Sequence, residues 1–163
     1  MAQEQLLINS IDEKQTGQLG LEIGRRLAAG FTISLDGNLG AGKTRLTQAI
    51  AVGLDIPDGQ VKSPTFTLSV PHSGRLQLLH VDAYRLKQLS EVDELGLDEW
   101  VDSGGVLIVE WANRISTALP PLDLAISIET NSESRRSVYL VAHSAVGVTI
   151  VNHVRTWQAS NRR

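Results

Sequence analysis

An eight-residue glycine-rich stretch, GNLGAGKT, runs from Gly37 to Thr44 and fits the phosphate-loop pattern G-x-x-x-x-G-K-S/T. Gly37 allows a sharp turn out of a strand, and Gly40 and Gly42 let backbone N–H groups approach a phosphate without a Cβ in the way. Lys43 would place its positive charge on the outer phosphates, and the Thr44 hydroxyl would reach Mg²⁺. The stretch predicts a nucleotide site, and a glycine-rich turn that binds no ligand is the disfavoured alternative.

Two carboxylates stand at the ends of apolar segments. Asp82 closes LQLLHVD and Glu110 closes GVLIVE. A carboxylate at the end of a buried strand raises the free energy of the fold unless it meets a cation or hydrogen-bond donors. Ligands of open α/β sheets bind at those ends, and Mg²⁺ prefers oxygen ligands. We therefore expect Asp82 and Glu110 to hold Mg²⁺ with Thr44, although either could be a solvated strand end and Asp82 could cap the turn at AYRL.

Three further residues near these motifs have polar or aromatic side chains of interest. Ser63 and Thr65 flank Pro64 in a rigid turn and could sense a terminal phosphate, as hydroxyls of switch loops do. Ordinary turn chemistry explains them equally well. Trp111 follows Glu110, and strand alternation would send it to the opposite face if the strand continues, where core packing is the common fate of tryptophan.

The glycine-rich loop lies between a segment with strand periodicity and one with helix periodicity. Residues 31–37, FTISLDG, alternate apolar and polar positions, and residues 43–54, KTRLTQAIAVGL, carry apolar residues at helical spacing. Upstream, residues 9–30 predict another helix, because Ser10 and Glu13 have capping-box spacing. Strand, loop and helix in this order are the context that a phosphate loop requires.

The rest of the chain predicts mainly strands. Residues 65–70 and 76–84 predict a hairpin, LSEVDELGLDEWVDSG predicts short helices broken near Gly96, and GVLIVEW predicts a central buried strand. LDLAISIET and RRSVYLVAHS predict further strands, and GVTIVNHV predicts either a strand or a final helix. We therefore expect one α/β domain over residues 1–163, a P-loop NTPase-like three-layer sandwich with a mixed central sheet and helices on both faces.

Composition excludes several classes of protein. The 163 residues are 42% hydrophobic, which suits one core, and the net charge of -3 argues against strong direct nucleic-acid binding. Cysteine is absent, so disulfides and thiolate metal sites are excluded. The four histidines show no ligand spacing, and His80 lies within a predicted strand. The sequence contains no apolar run of membrane-helix length and no secretory signal, so we expect a cytoplasmic protein without a membrane association.

Five segments in fixed order resemble the TsaE family, formerly YjeE, the bacterial ATPases required for threonylcarbamoyladenosine modification of tRNA. These segments are GNLGAGKT, VKSPTFTL, HVDAYRL, ELGLDEW and VEW, and they span roughly residues 11–136. A phosphate loop alone is common to many families. The combination of S-P-T-F/Y-T-L, H-x-D-x-Y-R-L and E-W is specific. Asn38 replaces the usual aspartate of the family, and Arg45 replaces a frequent threonine.

The resemblance implies an ATP or ADP site with Mg²⁺, and it implies roles for individual positions. Thr44 and Glu110 would bind Mg²⁺, and Asp82 would be the Walker-B-like acidic residue. The phosphates would be bound by Gly37, Asn38, Leu39, Gly40, Ala41, Gly42, Lys43 and Thr44.

The same resemblance implies further site residues and protein partners. Ser63 and Thr65 would form a switch-like loop, and Trp111 would lie close to the nucleotide. Glu13 and Arg135 would line the nucleotide at the two ends of the domain. The family's partners are TsaD, which transfers the threonylcarbamoyl group to tRNA adenosine, and TsaB.

The leading hypothesis is an accessory ATPase with catalytic residues Lys43, Asp82 and Glu110. Either carboxylate could orient the attacking water. No arginine finger is evident in the sequence, so slow turnover raised by partners is expected. A small P-loop kinase of a nucleoside-like substrate is an alternative, but Arg114 is the only arginine between Glu110 and Pro120, which leaves an arginine-rich lid hard to place. A GTP-dependent switch is disfavoured because the chain has no N-K-x-D motif.

Overall fold

The structure is a computed structural model that describes residues 3–62 and 68–161 of the chain. Its strands are β1 (Gln5–Ile11), β2 (Thr32–Gly37), β3 (Ser69–Ser73), β4 (Gln77–Asp82), β5 (Val106–Glu110), β6 (Leu124–Thr130) and β7 (Arg136–Ala142). Its α-helices are α1 (Glu13–Arg26), α2 (Lys43–Gly53), α3 (Ser90–Asp93), α4 (Leu97–Asp102) and α5 (Ala145–Ser160). Two short 3₁₀ segments cover Ala83–Arg85 and Ala112–Ala118.

The strands form one seven-stranded sheet in the order β1-β7-β6-β2-β5-β4-β3. The inner strands β6, β2, β5 and β4 run parallel, whereas β7 and β3 run antiparallel to their neighbours. The carboxyl ends of β2, β4 and β5 therefore meet at the same edge of the sheet, where ligands of such sheets bind.

Side-chain alternation along the strands builds a separate apolar layer on each face of the sheet. Even-numbered residues of β5, such as Ile108, pack in a core with α1, α2 and α5. Odd-numbered residues, such as Leu107, pack with α3, α4 and the two 3₁₀ segments. This arrangement confirms the predicted three-layer α/β fold with a mixed sheet, and the β5 interior position confirms the predicted buried strand.

The start of the first helix differs from the prediction. Residues 5–11 form strand β1, which pairs with β7, so Ser10 lies in an irregular part of a strand with φ 54°. The helix is capped two residues later by Asp12. Its Oδ1 accepts from the Gln15 N–H at 2.8 Å, and Gln15 Oε1 accepts from the Asp12 N–H at 2.9 Å. The capping box therefore uses Asp12 and Gln15, and the predicted box at Ser10 and Glu13 was wrong.

Close packing of α1 on α2 fixes the helix that follows the glycine-rich loop. Gly24 and Gly53 bring the two backbones together, and a Cβ on Gly24 would lie 2.1 Å from the Ile50 carbonyl oxygen. Only the absence of a side chain permits this approach. The position of α2, and of the loop before it, is set by this contact.

Several predictions for the second half of the chain are confirmed. β3 and β4 pair as an antiparallel hairpin, and α3 and α4 are separated at Gly96, which adopts a left-handed conformation with φ 64°. Of the two alternatives for GVTIVNHV, the helix is observed: it belongs to α5, where Ser144 Oγ accepts from the Gly147 N–H at 3.0 Å. Within the described ranges, none of the helices combines the length and apolarity that a membrane crossing needs.

Candidate functional site

The glycine-rich loop connects the end of β2 to the start of α2, as the sequence predicts. Gly40 has φ 77° and Gly42 has φ 106°, a left-handed conformation that residues with side chains rarely adopt. Gly42 is the N-cap of α2 and has no side chain with which to cap the helix. The first N–H groups of α2 are therefore available to an anion, as in other helix N-terminal phosphate sites.

Lys43 folds back over the loop that carries it. Its ammonium donates to the carbonyl oxygen of Asn38 at 2.8 Å and also to that of Gly37. The same ammonium lies 4.2 Å from the ring centroid of Trp111, a cation–π contact. The residue is only 6% exposed. The lysine is thus held at the centre of the site by the loop on one side and by an aromatic ring on another.

Three carboxylates act on the Lys43 charge. Burial lowers the pKa of the Lys43 ammonium, and the negative charges of Glu110, Asp82 and Asp36 oppose that effect. Asp82 and Glu110 are register partners on the parallel strands β4 and β5, which puts them side by side. Asp36, which the sequence analysis did not select, accepts from the Asn113 N–H at 3.1 Å. These three carboxylates give the surroundings of the lysine negative charge, a setting that favours a cation.

Glu110 is buried and is bonded through both carboxylate oxygens. Thr44 Oγ1 donates to Oε1 at 3.2 Å, and the Nε2 atom of His80 contacts Oε2. Glu110 is 2% exposed and His80 is fully buried. From its sequence, His80 was predicted to lie in a strand, and no function was predicted for its side chain. Its position two residues before Asp82 was the available signal, because alternation puts both side chains on the same face.

Asp82 lies in the cleft and also caps a turn, and both positions were considered for it from the sequence. It lines the same cleft as Lys43 and Glu110, and its Oδ1 accepts from the Tyr84 N–H at 2.9 Å, so it also caps the 3₁₀ turn that follows β4. Asp82 is half-buried, whereas Glu110 is enclosed.

The donors fit Mg²⁺ bound together with a phosphate better than a metal bound by protein alone. Among residues 3–62 and 68–161, no three His, Cys, Asp or Glu side chains converge as a metal cage. Mg²⁺ commonly takes one or two carboxylates and completes its coordination with phosphate oxygens and water. The Thr44 hydroxyl beside Glu110, with Asp82 next to it, is a donor set of that kind.

Trp111 contacts Lys43 at the site and also packs against the apolar layer on the face of the sheet that contains Leu107. β5 ends at Glu110, and Trp111 adopts a left-handed conformation with φ 58°, so strand alternation no longer applies. Its ring packs against that of Tyr84, with centroids 4.9 Å apart. The guanidinium of Arg114 lies 5.0 Å from the Tyr84 ring centroid. The condition for the alternation argument, a strand that continues past Glu110, is not met, but the expected packing of Trp111 against the core is observed. The Trp111 ring covers one side of Lys43.

The residues expected at the two ends of the nucleotide lie in different surroundings. Glu13 Oε1 is 3.7 Å from Arg45 Nε, next to the start of α2. Arg135 is exposed and donates to the Ser10 carbonyl oxygen at 3.0 Å. Arg136 instead lies against the loop, since a Cβ on Gly42 would be 2.6 Å from its Nη1 atom. The sequence identified no arginine at the phosphate site, and the structure brings Arg136 there.

Ser63 and Thr65, the predicted switch-like residues, lie outside the described residues. Five of the predicted phosphate residues and both predicted carboxylates line a cleft of about 240 Å³, whereas Gly37, Asn38 and Ala41 do not line it. Its lining consists of Leu39, Gly40, Gly42, Lys43, Thr44, Arg45, Asp82, Glu110 and Trp111. A larger cleft of about 590 Å³ lies between β1, α1 and α5 and contains none of these residues. The smaller cleft is the candidate site. Of these two clefts, it is the one whose lining contains both the N–H groups at the uncapped start of α2 and the carboxylates of Asp82 and Glu110.

Comparison with known proteins gives one consistent result. The sequence profile of a family described as "Threonylcarbamoyl adenosine biosynthesis protein TsaE" matches residues 10–138. A tRNA threonylcarbamoyladenosine biosynthesis protein TsaE from Treponema pallidum is 37% identical over 125 residues, covering 77% of this chain and 92% of the relative. The protein of the same name from Bacillus subtilis is 36% identical over 140 residues, covering 85% and 87%.

The fold comparison agrees with the sequence comparison. The crystal structure of YdiB from Bacillus subtilis superposes with a TM-score of 0.79 at 28% sequence identity. The superposition covers 97% of this chain and 99% of YdiB.

Proposed function

The chain belongs to the TsaE family, whose proteins take part in the biosynthesis of tRNA threonylcarbamoyladenosine, and from this membership and the site geometry we propose that it is a Mg²⁺-dependent ATPase of that system. One observation carries the proposal: Lys43, Thr44 and Glu110 converge at the uncapped start of α2. That convergence joins a phosphate-binding element to a carboxylate that can accept a metal.

The loop and α2 would bind the terminal phosphates of ATP. Backbone N–H groups of residues 40–44 and the positive end of α2 would contact phosphate oxygens. The Lys43 ammonium would exchange its two backbone carbonyl partners for phosphate oxygens and would stabilise the charge that develops on them. Arg136, which lies against Gly42, is the described arginine best placed to add a second positive charge.

Thr44, Glu110 and Asp82 would hold Mg²⁺, which when bound neutralises phosphate charge. Both Glu110 oxygens are already bonded, one to Thr44 and one to His80, whereas Asp82 accepts from the Tyr84 N–H through Oδ1. Asp82 is also the more exposed of the two carboxylates. We therefore assign Asp82 the role of orienting the attacking water, with ADP and inorganic phosphate as products.

Two features of the proposal rest on the family alone. The protein would act on a complex of TsaB and TsaD, and hydrolysis by the isolated protein would be slow. The protein would act in the cytoplasm and would make no strong direct contact with nucleic acid.

Phosphate release from ATP tests the proposal. Wild-type protein would be measured with Mg²⁺ or EDTA, with and without TsaB and TsaD of the same organism, beside Lys43→Ala and Thr44→Ala. We expect slow release that the partners increase and that both variants lose. Lys14→Ala, which removes an exposed lysine of α1, is the matched control and should keep wild-type release.

Two results would contradict different parts of the proposal. Failure of the wild-type protein to bind ATP or ADP at any Mg²⁺ concentration would refute the ATPase assignment. Full-rate hydrolysis by the isolated protein, unchanged by TsaB and TsaD, would refute the partner dependence alone.

A further inference from the structure

A fully buried histidine lies behind the carboxylate of the site. His80, on β4, directs its Nε2 atom at Glu110 Oε2, while the other Glu110 oxygen accepts from Thr44 at 3.2 Å. His80 does not line the cleft, so a bound nucleotide would have no direct contact with it. Its Nε2 atom makes a polar contact with Glu110, and that residue is 2% exposed.

The surroundings of the ring determine which nitrogen carries the hydrogen. His80 Nδ1 is buried and has no hydrogen-bond partner among the residues that the structure describes. A hydrogen on Nδ1 would be buried there without an acceptor, which is unfavourable. A hydrogen on Nε2 instead satisfies the contact with the Glu110 carboxylate.

Two donors consequently hold the Glu110 carboxylate in place. With Oε2 bonded by His80 and Oε1 by Thr44, rotation of the carboxylate would break one or both hydrogen bonds. Partners of this kind, one step removed from a metal, commonly change metal affinity by about 10- to 100-fold when they are replaced. A core histidine without a functional link would not be expected to contact the one fully enclosed carboxylate of the site.

We propose that His80 is a positioning residue whose Nε2–H holds Glu110 in the orientation that faces Thr44 and so sets the Mg²⁺ affinity of the nucleotide site. The inference rests on the proposed function, because it concerns the same site. It predicts an effect on the metal dependence and not on the metal-free binding of nucleotide, since His80 lies outside the cleft.

Two substitutions separate the hydrogen bond from the packing. His80→Gln keeps an amide N–H that can reach Glu110, and His80→Leu fills the space without a donor. ADP binding in EDTA and the Mg²⁺ concentration for half-maximal ATP hydrolysis would be measured for both. We expect His80→Leu to raise that concentration by about tenfold with ADP binding in EDTA unchanged, and His80→Gln to restore most of the wild-type value.

A Glu110→Gln variant distinguishes failure of the inference from failure of the proposed function. If Glu110→Gln raises the Mg²⁺ requirement and His80→Leu does not, the role of His80 is refuted and the ATPase assignment stands. If wild-type protein binds no nucleotide with or without Mg²⁺, both are refuted. Equal losses of ADP binding in EDTA and in Mg²⁺ for His80→Leu would also refute the inference, because they would indicate a structural role.

One measurement on wild-type protein does not depend on whether the variants fold. Imidazole ¹⁵N spectra report which ring nitrogen of each histidine carries hydrogen. For His80 we expect hydrogen on Nε2 and a bare Nδ1, with slow exchange of the Nε2 hydrogen because the residue is fully buried. A bare Nε2 would overturn the proposal, since it could not donate to Glu110.

Discussion

At the scale of single residues, two neighbouring arginines have different surroundings. The guanidinium of Arg136 lies against Gly42 of the phosphate loop, whereas Arg135 is exposed and bonds to the backbone of β1. Arg136 is the first residue of β7, whereas Arg135 precedes the strand and lies beside Ser10 of β1. A sequence cannot show which of the two faces the loop.

The first prediction compares these two arginines. We expect Arg136→Ala to weaken ADP binding by about tenfold, because hydrogen bonds to charged groups contribute roughly 1.5–3 kcal/mol. Arg135→Ala, the matched control, should change ADP affinity by much less. Calorimetric titration of both variants measures this, and a larger loss for Arg135→Ala would instead favour the role that the family resemblance gave it.

His72 predicts a pH effect on stability. Burial lowers the pKa of His72 below its ordinary value of 6.5, and its Nε2 is buried without a partner in the described part of the chain. The folded protein keeps this ring neutral to lower pH than the unfolded chain does. Its contribution to stability is therefore complete above pH 6.5 and is lost as pH falls toward the folded-state pKa.

Urea unfolding of wild type and His72→Gln at about pH 7.5 and about pH 5.5 tests this sign. The wild type should lose more stability on acidification than the variant, by at most about 1.4 kcal/mol per pH unit for one proton. His143→Gln, at an exposed histidine, should behave as wild type. An equal acid loss in wild type and His72→Gln would contradict the linkage.

At the scale of elements, the sequence predicts the secondary structure correctly where a single segment contains all of the determining residues. The loop from Gly37 to Thr44 and its flanking strand and helix were predicted because pattern and context lie together in the chain. β1 was not predicted, because its burial pattern is irregular and its pairing partner β7 lies far away in sequence. The contact between Trp111 and Lys43 did not follow from the strand pattern, because nothing local indicated that β5 stops at Glu110.

The α1–α2 contact gives a prediction at this scale. Gly24→Ala should lower the free energy of unfolding by about 1–3 kcal/mol, because the added Cβ meets the Ile50 backbone and overpacks the interface. Gly17→Ala in the same helix is the matched control. Its Cβ would meet only the flexible end of Arg45, and alanine adds about 1 kcal/mol of helix propensity.

Chemical unfolding of both variants measures the difference. We expect Gly17→Ala to be neutral or stabilising. Equal stability of the two variants would show that α1 and α2 can move apart without loss, and that the glycine contact does not fix the position of α2.

At the scale of the whole molecule, the site joins groups from four elements. Lys43 and Thr44 come from α2, His80 and Asp82 from β4, Glu110 from the end of β5, and Arg136 from β7. Their assembly depends on the strand order, which places β5 between β2 and β4. The local sequence pattern shows that Asp82 and Glu110 end strands. It does not show the order in which the strands pair or the approach of β7 to the loop, because these depend on residues far apart in the chain.

Ligand binding should therefore stabilise the whole fold. ATP with Mg²⁺ at about 100 times its Kd should add about 2.7 kcal/mol and raise Tm by about 5–10 °C. GTP should raise Tm less, and Lys43→Ala should show no increase with either nucleotide. A thermal-shift series over nucleotide concentration measures this, and equal shifts with GTP would contradict the preference for adenine nucleotides.

The register of β4 against β5 has a consequence for how preparations of this protein are compared. Asp82 faces Glu110 across the two strands, and His80 shares their side of the sheet. Because side chains alternate, a slip of β4 by one residue would turn His80 and Asp82 away together, and Leu79 and Val81 would take their side. Such molecules would contribute nothing to turnover instead of working at a reduced rate. The specific activity in the proposed ATP hydrolysis would then be proportional to the fraction of molecules with the correct pairing. A low specific activity would indicate a mixed sample and not a slow rate in each molecule.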